Sequence, residues 1–388
     1  MSDYVHEDIL EKILHRLPPK SIGKCMAVCK SWNLLIKSHR FVSSYQQCSL
    51  SSTSLFLVHH SLEHYSICSP NIECWFSLPR ILSTYRFVGA LNGLVCFATS
   101  YDRDGVIIVN PLTRRMLQLP TTQMLDNPSR RFRFRFGFGF DSKNNDFKVI
   151  YICYPGPNDD PLVVELYSLN KGVWSVIDAS FVEPFYNNWM DEEKQLFFKE
   201  SVHWLGYDSE DIYYILIFHM VEEKFSKMEL PQVLSAMSQR HLDLDITVID
   251  GCLSLIEYLR DGSCNIWMKR ESWINIQSVH LSEGNIIKQV LGQDTSSEVL
   301  VLPRFSYGEK DSLHLHAYDL MKSQQMRNLG VESTFNRLCA SDFTCSLIFL
   351  DKESYPYNPF GDMTMDDHPE GRGWIFKWQI LIDGGHHL

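Results

Sequence analysis

A pair of short apolar strands joined by a polar turn recurs along most of this chain, and this repeat constrains the fold more than any other feature. The copies are YSICSPNIECWFSLP (65–79), IIVNPLTRRMLQLP (107–120), VELYSLNKGVWSVI (164–177), ILIFHMVEEKFSKMELP (215–231), CNIWMKRESWINI (264–276) and LHAYDLMKSQQMRNL (315–329). Equivalent positions in the last five copies are spaced by 57, 52, 48 and 51 residues: Val109, Leu166, Phe218, Ile266 and Ala317. A period of about 50 residues is typical of kelch-type β-propellers.

The repeat predicts that each copy is the outer hairpin of one blade, so six copies predict about six blades. Strand-like segments between the copies are then inner strands: LNGLVCFA (91–98), DFKVIYICY (146–154), SVHWLG (201–206) and ITVIDGCLSLI (246–256). We expect CSLIFL (345–350) to pair with SLFLVHH (54–60), which would close the ring and leave no free sheet edge.

The segment SRRFRFRFGFGFD (129–141) alternates between phenylalanine and arginine or glycine and lies where an inner strand is due. Its phenylalanines are predicted to form a face packed between blades, and Gly137 and Gly139 to leave room for a neighbouring sheet. A third glycine and a following helix are missing, so the segment does not fit a dinucleotide-binding loop. On the other face, Arg131, Arg133 and Arg135 are predicted either to pair with acidic residues of the next blade or to contact a target.

Residues 7–42 have a different, helical periodicity. Ile9, Leu10, Ile13, Leu14 and Leu17 form one apolar stripe, which ends at Pro18-Pro19. A second stripe contains Trp32, Leu35 and Ile36. About 40 residues of helix cannot bury this surface alone, so we expect the following domain or another protein to cover part of it.

The net charge of −11 is unevenly distributed, since residues 1–48 carry +3 and the remainder carries −14. An acidic body disfavours nucleic-acid binding and favours a basic protein partner. The 11 cysteines include no CxxC pair, and no apolar run is long enough to span a bilayer. We therefore expect free thiols, no metal, no cofactor, no membrane association and a cytoplasmic or nuclear location.

The segment EDILEKILHRLPPKSIGKCMAVCKSWNLLI resembles the F-box motif over some thirty positions, with Val5-His6 in place of its opening Leu-Pro. In F-box proteins this helical bundle binds a Skp-type adaptor and, through it, a cullin ubiquitin ligase. The resemblance implies that adaptor-binding residues lie within one set, about half of which we expect to belong to the core instead. That set is Leu10, Ile13, Leu14, Leu17, Pro18, Trp32, Leu35 and Ile36.

The remaining motifs resemble, in the same order, the F-box-associated domain of plant F-box proteins: LNGLVCF, VNPLTRRMLQLP, FGFGFDSKNNDFKVI, VELYSLNKGVW, SVHWLG and IDGCLSLI. The predicted organisation is an all-α F-box (5–48), an all-β propeller (54–350) and a polar, loosely ordered tail (351–388). The resemblance implies a non-catalytic substrate receptor of an SKP–cullin–F-box (SCF) ubiquitin ligase. The pieces also resemble the S-locus F-box group, whose targets are basic secreted ribonucleases.

Two alternatives remain open, namely a kelch-like interaction scaffold that causes no degradation, and a propeller enzyme. The enzyme has little support in the sequence. His203 has no organised nucleophile and acid near it in the sequence and is predicted to be structural. Arg114 and Arg115 are predicted to lie at a solvated hairpin tip, and His59-His60 point to opposite faces of a strand and so do not chelate a metal.

Overall fold

In the computed structural model the chain is an N-terminal group of helices followed by antiparallel β-sheets. The structure describes residues 6–17, 19–38, 40–42, 44–45, 56–60, 64–68, 74–79, 82, 85–99, 105–122, 133–154, 162–179, 182, 195–208, 212–235, 242–281, 286–293, 298–304, 313–320, 326–333, 348, 350 and 355–356. The helices are α1 (Glu7–Leu14), α2 (Pro19–Cys25), α3 (Lys30–Lys37) and α4 (Gln232–Ser235).

Within this part of the chain the strands form six sheets, and each sheet consists of strands that are consecutive in the sequence, apart from β24, which joins the sheet of β4–β7. The strands are β1 (Phe56–His60), β2 (His64–Cys68), β3 (Cys74–Ser77), β4 (Arg86–Leu91), β5 (Leu94–Ala98), β6 (Val106–Asn110), β7 (Arg115–Gln118), β8 (Arg133–Asp141), β9 (Asp146–Tyr154), β10 (Val163–Ser168), β11 (Val173–Ile177), β12 (Gln195–Phe198), β13 (Ser201–Tyr207), β14 (Tyr213–His219), β15 (Lys224–Glu229), β16 (Asp243–Ile249), β17 (Cys252–Tyr258), β18 (Cys264–Lys269), β19 (Trp273–Val279), β20 (Ile286–Gln293), β21 (Val299–Arg304), β22 (Leu313–Tyr318), β23 (Met326–Ser333) and β24 (Tyr355–Pro356).

Five of the sheets are blades of four or five strands, which we number one to five from β4–β7, β8–β11, β12–β15, β16–β19 and β20–β23. The sixth sheet has three strands, β1–β3. The innermost strands β4, β8, β12, β16 and β20 follow one another around a common axis. This confirms the predicted β-propeller, with five complete blades where the repeat predicted about six. Each of the six repeat copies forms a hairpin on the outer side of a sheet, as predicted, and in blade one β24 is added outside that hairpin.

The arginine–phenylalanine strip forms β8, the innermost strand of blade two, as the sequence predicted. Phe136 and Phe138 are buried against blade one, in a cluster that includes Val88 and Leu94. The glycines face blade three, where a Cβ on Gly137 would lie 2.5 Å from Trp204 Cζ2. The alternation of phenylalanine and glycine along β8 therefore places large side chains toward blade one and leaves space for the side chains of blade three, which packs closely against β8.

The two rims of the ring differ in the length of their connections. At the end that we call the turn rim, strands within blades one to four are joined by the short segments 92–93, 111–114, 142–145, 169–172, 199–200, 220–223, 250–251 and 270–272. At the opposite end, the loop rim, the connections include 119–132, 178–194 and 230–242. Several tight turns contain residues with positive φ, such as Asn145 (49°) between β8 and β9.

The C-terminal part of the chain returns to blade one. Tyr355–Pro356 pair with Met116 and Arg115 as a fifth strand, β24, at the outer edge of β7. Leu350 is buried in the core between blades one and two. The predicted pairing of 345–350 with 54–60 lies mostly outside the described residues, as does most of the predicted tail, so both stay predictions.

Candidate interaction surface

The N-terminal helices are amphipathic, and one face of each packs on the propeller. Leu10 and Leu14 on α1, Ile22 on α2 and Ile36 on α3 are buried. Their core continues without a break into the first two sheets, where it includes Tyr65, Ile67, Leu78, Leu82, Tyr85, Val95, Phe97, Ile107, Val109, Leu112 and Met116. The following domain therefore covers part of the apolar surface that the helices cannot bury alone.

The other face of the helices leaves large apolar side chains in solvent. Ile9 and Ile13 lie one turn apart on α1 and are 55% and 48% exposed. Leu34 on α3 is 72% exposed, and Val28, just before α3, is 62% exposed. Isolated exposed apolar residues are common, but four within about 30 residues of helix are typical of an interaction surface.

The structure divides the predicted adaptor-binding set between core and surface. Leu10, Leu14 and Ile36 are buried, while Leu17, Trp32 and Leu35 are partly buried against the same core. Ile13 is the member with a largely exposed side chain, and Pro18 lies outside the described residues. Val28 and Leu34 lie outside the predicted set, and Ile9 was predicted only as part of the stripe, because periodicity defines a stripe without indicating which edge of it faces outward.

Polar and aromatic contacts fix the end of α1 to the helical residues that follow α3. The His15 ring stacks on Phe41 with centroids 4.6 Å apart, and its Nε2 lies 3.0 Å from Ser44 Oγ. Tyr45 donates a hydrogen bond to the carbonyl of Leu17 at 2.9 Å. Arg40 pairs with Glu11 at 3.3 Å. These contacts fix the position of α1 relative to the residues that follow α3.

Among the three arginines predicted on the β8 strip, the structure describes the side chain of Arg135. Arg135 is buried, and its Nη1 donates to the carbonyl of Leu205 in blade three at 3.3 Å. Arg135 therefore forms a contact between blades two and three, and its side chain is too deeply buried for a target to reach. Arg131 lies outside the described residues, and Arg133 takes part in β8 through its backbone. A target-binding role for those two stays a prediction.

His203, on β13, is a buried and neutral side chain. Burial lowers its pKa to about 4, and the hydrogen bonds to backbone carbonyls only partly oppose this effect. Its Nδ1 lies 3.3 Å from Leu196 O and 3.2 Å from Ser201 O, so this nitrogen carries the proton that is donated. Both contacts stay within blade three, which is the arrangement of a structural histidine.

A charge cluster centred on the buried Lys148 joins blades two and three, and no pattern in the sequence predicted it. Lys148 Nζ donates to Asp141 Oδ2 at 2.6 Å, to Glu223 Oε1 at 2.8 Å and to the carbonyl of Met220 at 2.9 Å. Burial alone would lower the pKa of Lys148, but the two carboxylates outweigh it and raise the pKa. At Asp141, burial acts to raise the pKa of the carboxyl group. The hydrogen bonds from Lys148 and Asn144 outweigh burial, so the pKa of Asp141 is lowered.

The described residues contain no group of three or more His, Cys, Asp or Glu side chains placed to hold a metal ion. Within the described ranges, Cys25, Cys29, Cys96, Cys153, Cys252 and Cys264 are free thiols. No helix in the described ranges is long and apolar enough to cross a membrane.

An amphipathic helical group with an exposed apolar face, joined through a common core to a β-propeller, defines a two-part protein-binding molecule. The chain belongs to the F-box-associated β-propeller family, whose model, F-box associated beta propeller domain, matches residues 36–352. The F-box domain model matches residues 6–44. The resemblance seen in the sequence is thereby confirmed for both parts.

Relatives in Arabidopsis thaliana span most of the chain. F-box protein CPR1 is 25% identical over 375 residues, which are 88% of this chain and 86% of that protein. F-box protein At5g49610 is 25% identical over 290 residues, covering 71% of this chain and 79% of that protein. Among solved structures, the Aleuria aurantia lectin is 12% identical with a TM-score of 0.36, covering 63% of this chain and 78% of the lectin, a likeness too slight to carry an argument.

Proposed function

We propose that this protein is a substrate receptor of an SCF ubiquitin ligase, in which the helices bind a Skp-type adaptor and the propeller binds a target. The observation that carries the proposal is the apolar face of Ile9, Ile13 and Leu34, which remains in solvent on helices that match the F-box. The propeller core does not cover this face, so we expect these side chains to be buried in an interface with a partner protein.

In this role the chain performs no bond chemistry. It raises the effective concentration of a target near the conjugating enzyme that the cullin carries, and the rate gain comes from proximity and orientation. The placement of His203 supports a non-catalytic role, because the side chain is neutral, buried and committed to backbone carbonyls of its own blade.

The adaptor-binding step is tested with the double variant Ile13→Asp/Leu34→Asp in the full chain. Both side chains are largely in solvent, so the melting temperature should change little, whereas co-purification with the adaptor should be lost. Truncating one apolar anchor at such an interface costs about 2 kcal/mol or more. Unchanged co-purification would refute the proposed surface.

The control Leu14→Asp separates binding from folding. Leu14 is fully buried in the core that the helices share with the propeller, so this substitution should lower stability first. If Leu14→Asp abolished adaptor binding at unchanged stability while the double variant bound normally, the assignment of inward and outward faces would be wrong.

A non-degradative scaffold is the alternative function, and it differs in its downstream partners. A receptor should co-purify with both adaptor and cullin, and its target should accumulate when the proteasome is inhibited. Adaptor binding without target accumulation would favour the scaffold. A cytoplasmic or nuclear location belongs to the same proposal.

We further propose that the target is basic and docks at the loop rim. Connections at the loop rim between β4 and β23 contain 17 acidic and 7 basic residues, against 8 and 6 at the turn rim. Such a charge difference steers basic partners, and the attraction is screened by salt. Target affinity should fall between 50 and 500 mM salt, and salt-independent binding would exclude this target class. A secreted ribonuclease of the S-locus type is one basic protein that fits.

A further inference from the structure

The NPLTRR motif is a tight turn of blade one whose shape is set by its first residue. Asn110 is fully buried at the end of β6. Its Oδ1 accepts hydrogen bonds from the backbone N–H groups of Leu112 at 2.9 Å and Thr113 at 3.2 Å. Its Nδ2 donates to the carbonyl of Ile348 at 2.6 Å, so the same side chain also anchors the returning C-terminal segment.

The turn presents an apolar side chain rather than a charged one to the rest of the protein. Leu112 is only 6% exposed, and it belongs to the core formed by Leu14, Ile22 and Ile36 of the three helices. Arg114, two residues after Leu112 and at φ 53°, is exposed. The positive φ turns the chain back into β7 while Leu112 stays directed at the helical core.

Gly23, in the middle of α2, lies against the backbone of this turn. A Cβ built on Gly23 would be 3.7 Å from the carbonyl oxygen of Leu112, which is an ordinary van der Waals contact. An alanine therefore fits between α2 and the turn, whereas a larger side chain that points the same way does not.

From these contacts we propose that the Asn110–Arg115 turn is the seat of the F-box helices, with Asn110 and Leu112 as positioning residues. The seat fixes the direction in which Ile9, Ile13 and Leu34 point relative to the propeller axis. Because the seat lies on the turn rim, the helices leave the opposite rim open. The consequence for ubiquitin transfer rests on the proposed function, while the seat itself does not.

The test uses the full-length variants Gly23→Phe and Leu112→Asp, with Gly23→Ala as the matched control. Hydrogen exchange is measured by mass spectrometry on peptides from α1–α3, from β6–β7 and from blades three and four. We expect both test variants to accelerate exchange in the helices and β6–β7 together by about tenfold or more, and to leave blades three and four unchanged. Gly23→Ala should exchange like the unsubstituted protein.

The second measurement is made in the assembled ligase. Gly23→Phe leaves the exposed apolar residues untouched, so adaptor affinity should stay within about twofold. Transfer of ubiquitin to a bound target should slow by about tenfold or more, because small displacements of reacting groups are costly in rate. A merely structural role for the turn would not separate these two readouts.

Each outcome has a defined meaning. Unchanged exchange in the helices of both test variants would overturn the seat, and so would loss of adaptor affinity in Gly23→Phe, since Gly23 would then face the adaptor. Altered exchange with unchanged transfer would overturn its positioning role. Failure of the unsubstituted protein to bind an adaptor would instead refute the proposed function, and the exchange data would still decide the seat.

Discussion

Replacing Lys148 with methionine should destabilise the protein strongly, because it leaves the fully buried Asp141 carboxylate without its cation. The Lys148 side chain is 4% exposed, and its three N–H groups have three acceptors within 2.9 Å. Removing one partner of a buried ion pair costs about 3–5 kcal/mol. Asp141 keeps hydrogen bonds from the backbone and side chain of Asn144, at 3.0 and 2.7 Å, so we expect a value near the lower end.

The pH dependence of this loss follows from the direction of the Asp141 pKa. Its pKa in the folded protein is lowered, so its stabilising contribution is present above the unfolded pKa and disappears as the pH falls through the folded value. Lys148→Met removes the main cause of that lowering. The difference in unfolding free energy between variant and parent should therefore be largest near neutral pH and shrink under acidic conditions.

The assay is urea unfolding followed by tryptophan fluorescence and by far-ultraviolet circular dichroism, at pH 7.5 and at pH 4. Glu223→Gln is the matched control, because Glu223 contacts the same ammonium group but its side chain is 42% exposed. An exposed partner of this kind contributes about 1 kcal/mol or less. If Lys148→Met cost no more than Glu223→Gln, or if its cost did not depend on pH, the cluster would not stabilise the joint between blades two and three.

Three further predictions concern blade packing. Gly137→Ala should cost about 1–3 kcal/mol in unfolding free energy, since its Cβ would lie 2.5 Å from the Trp204 ring; an unchanged urea midpoint would contradict this. Glu165 is buried, and burial raises the pKa of its carboxyl group, while Thr122 opposes this only in part. Protonation of Glu165 therefore stabilises the folded protein below the unfolded pKa, and this stabilisation is lost as the pH rises through the folded pKa. Glu165→Gln should thus be at least as stable at pH 7.5 and gain less on acidification, as thermal melts would show. Gln195→Leu should cost about 1–3 kcal/mol, because the amide binds the backbone N–H of Phe138 at 2.7 Å; denaturant titration tests it.

The repeat and the strip could be understood from the sequence because both are local patterns. Copies such as 107–120 carry two strands and their turn within a few residues, and this pattern alone predicted the outer hairpins. Phe136, Phe138 and Gly137 alternate with the period of a strand, which predicted the packed face and the space left by glycine. The helical stripe around Leu10 and Leu14 was detectable by the same means.

The functional surface was harder to predict because its division depends on distant residues. Periodicity places Leu14 and Ile13 on adjacent parts of one stripe, but only packing on Leu112 and Met116 decides that the first is buried and the second exposed. In the same way, nothing near Arg135 in the sequence predicts that Leu205 of the next blade lies beside it.

The sequence by itself determined the two-part organisation, the propeller, the hairpin repeat and the family, because short-range periodicity and turn residues carry that information. Only the tertiary structure decided which apolar residues of the helices remain exposed to a partner. It also decided how Lys148 connects two blades and how α2 packs against the NPLTRR turn. The physical reason is the same in each case. Burial and charge pairing depend on groups about 70 or more residues apart that only the closed packing of sheets and helices brings together.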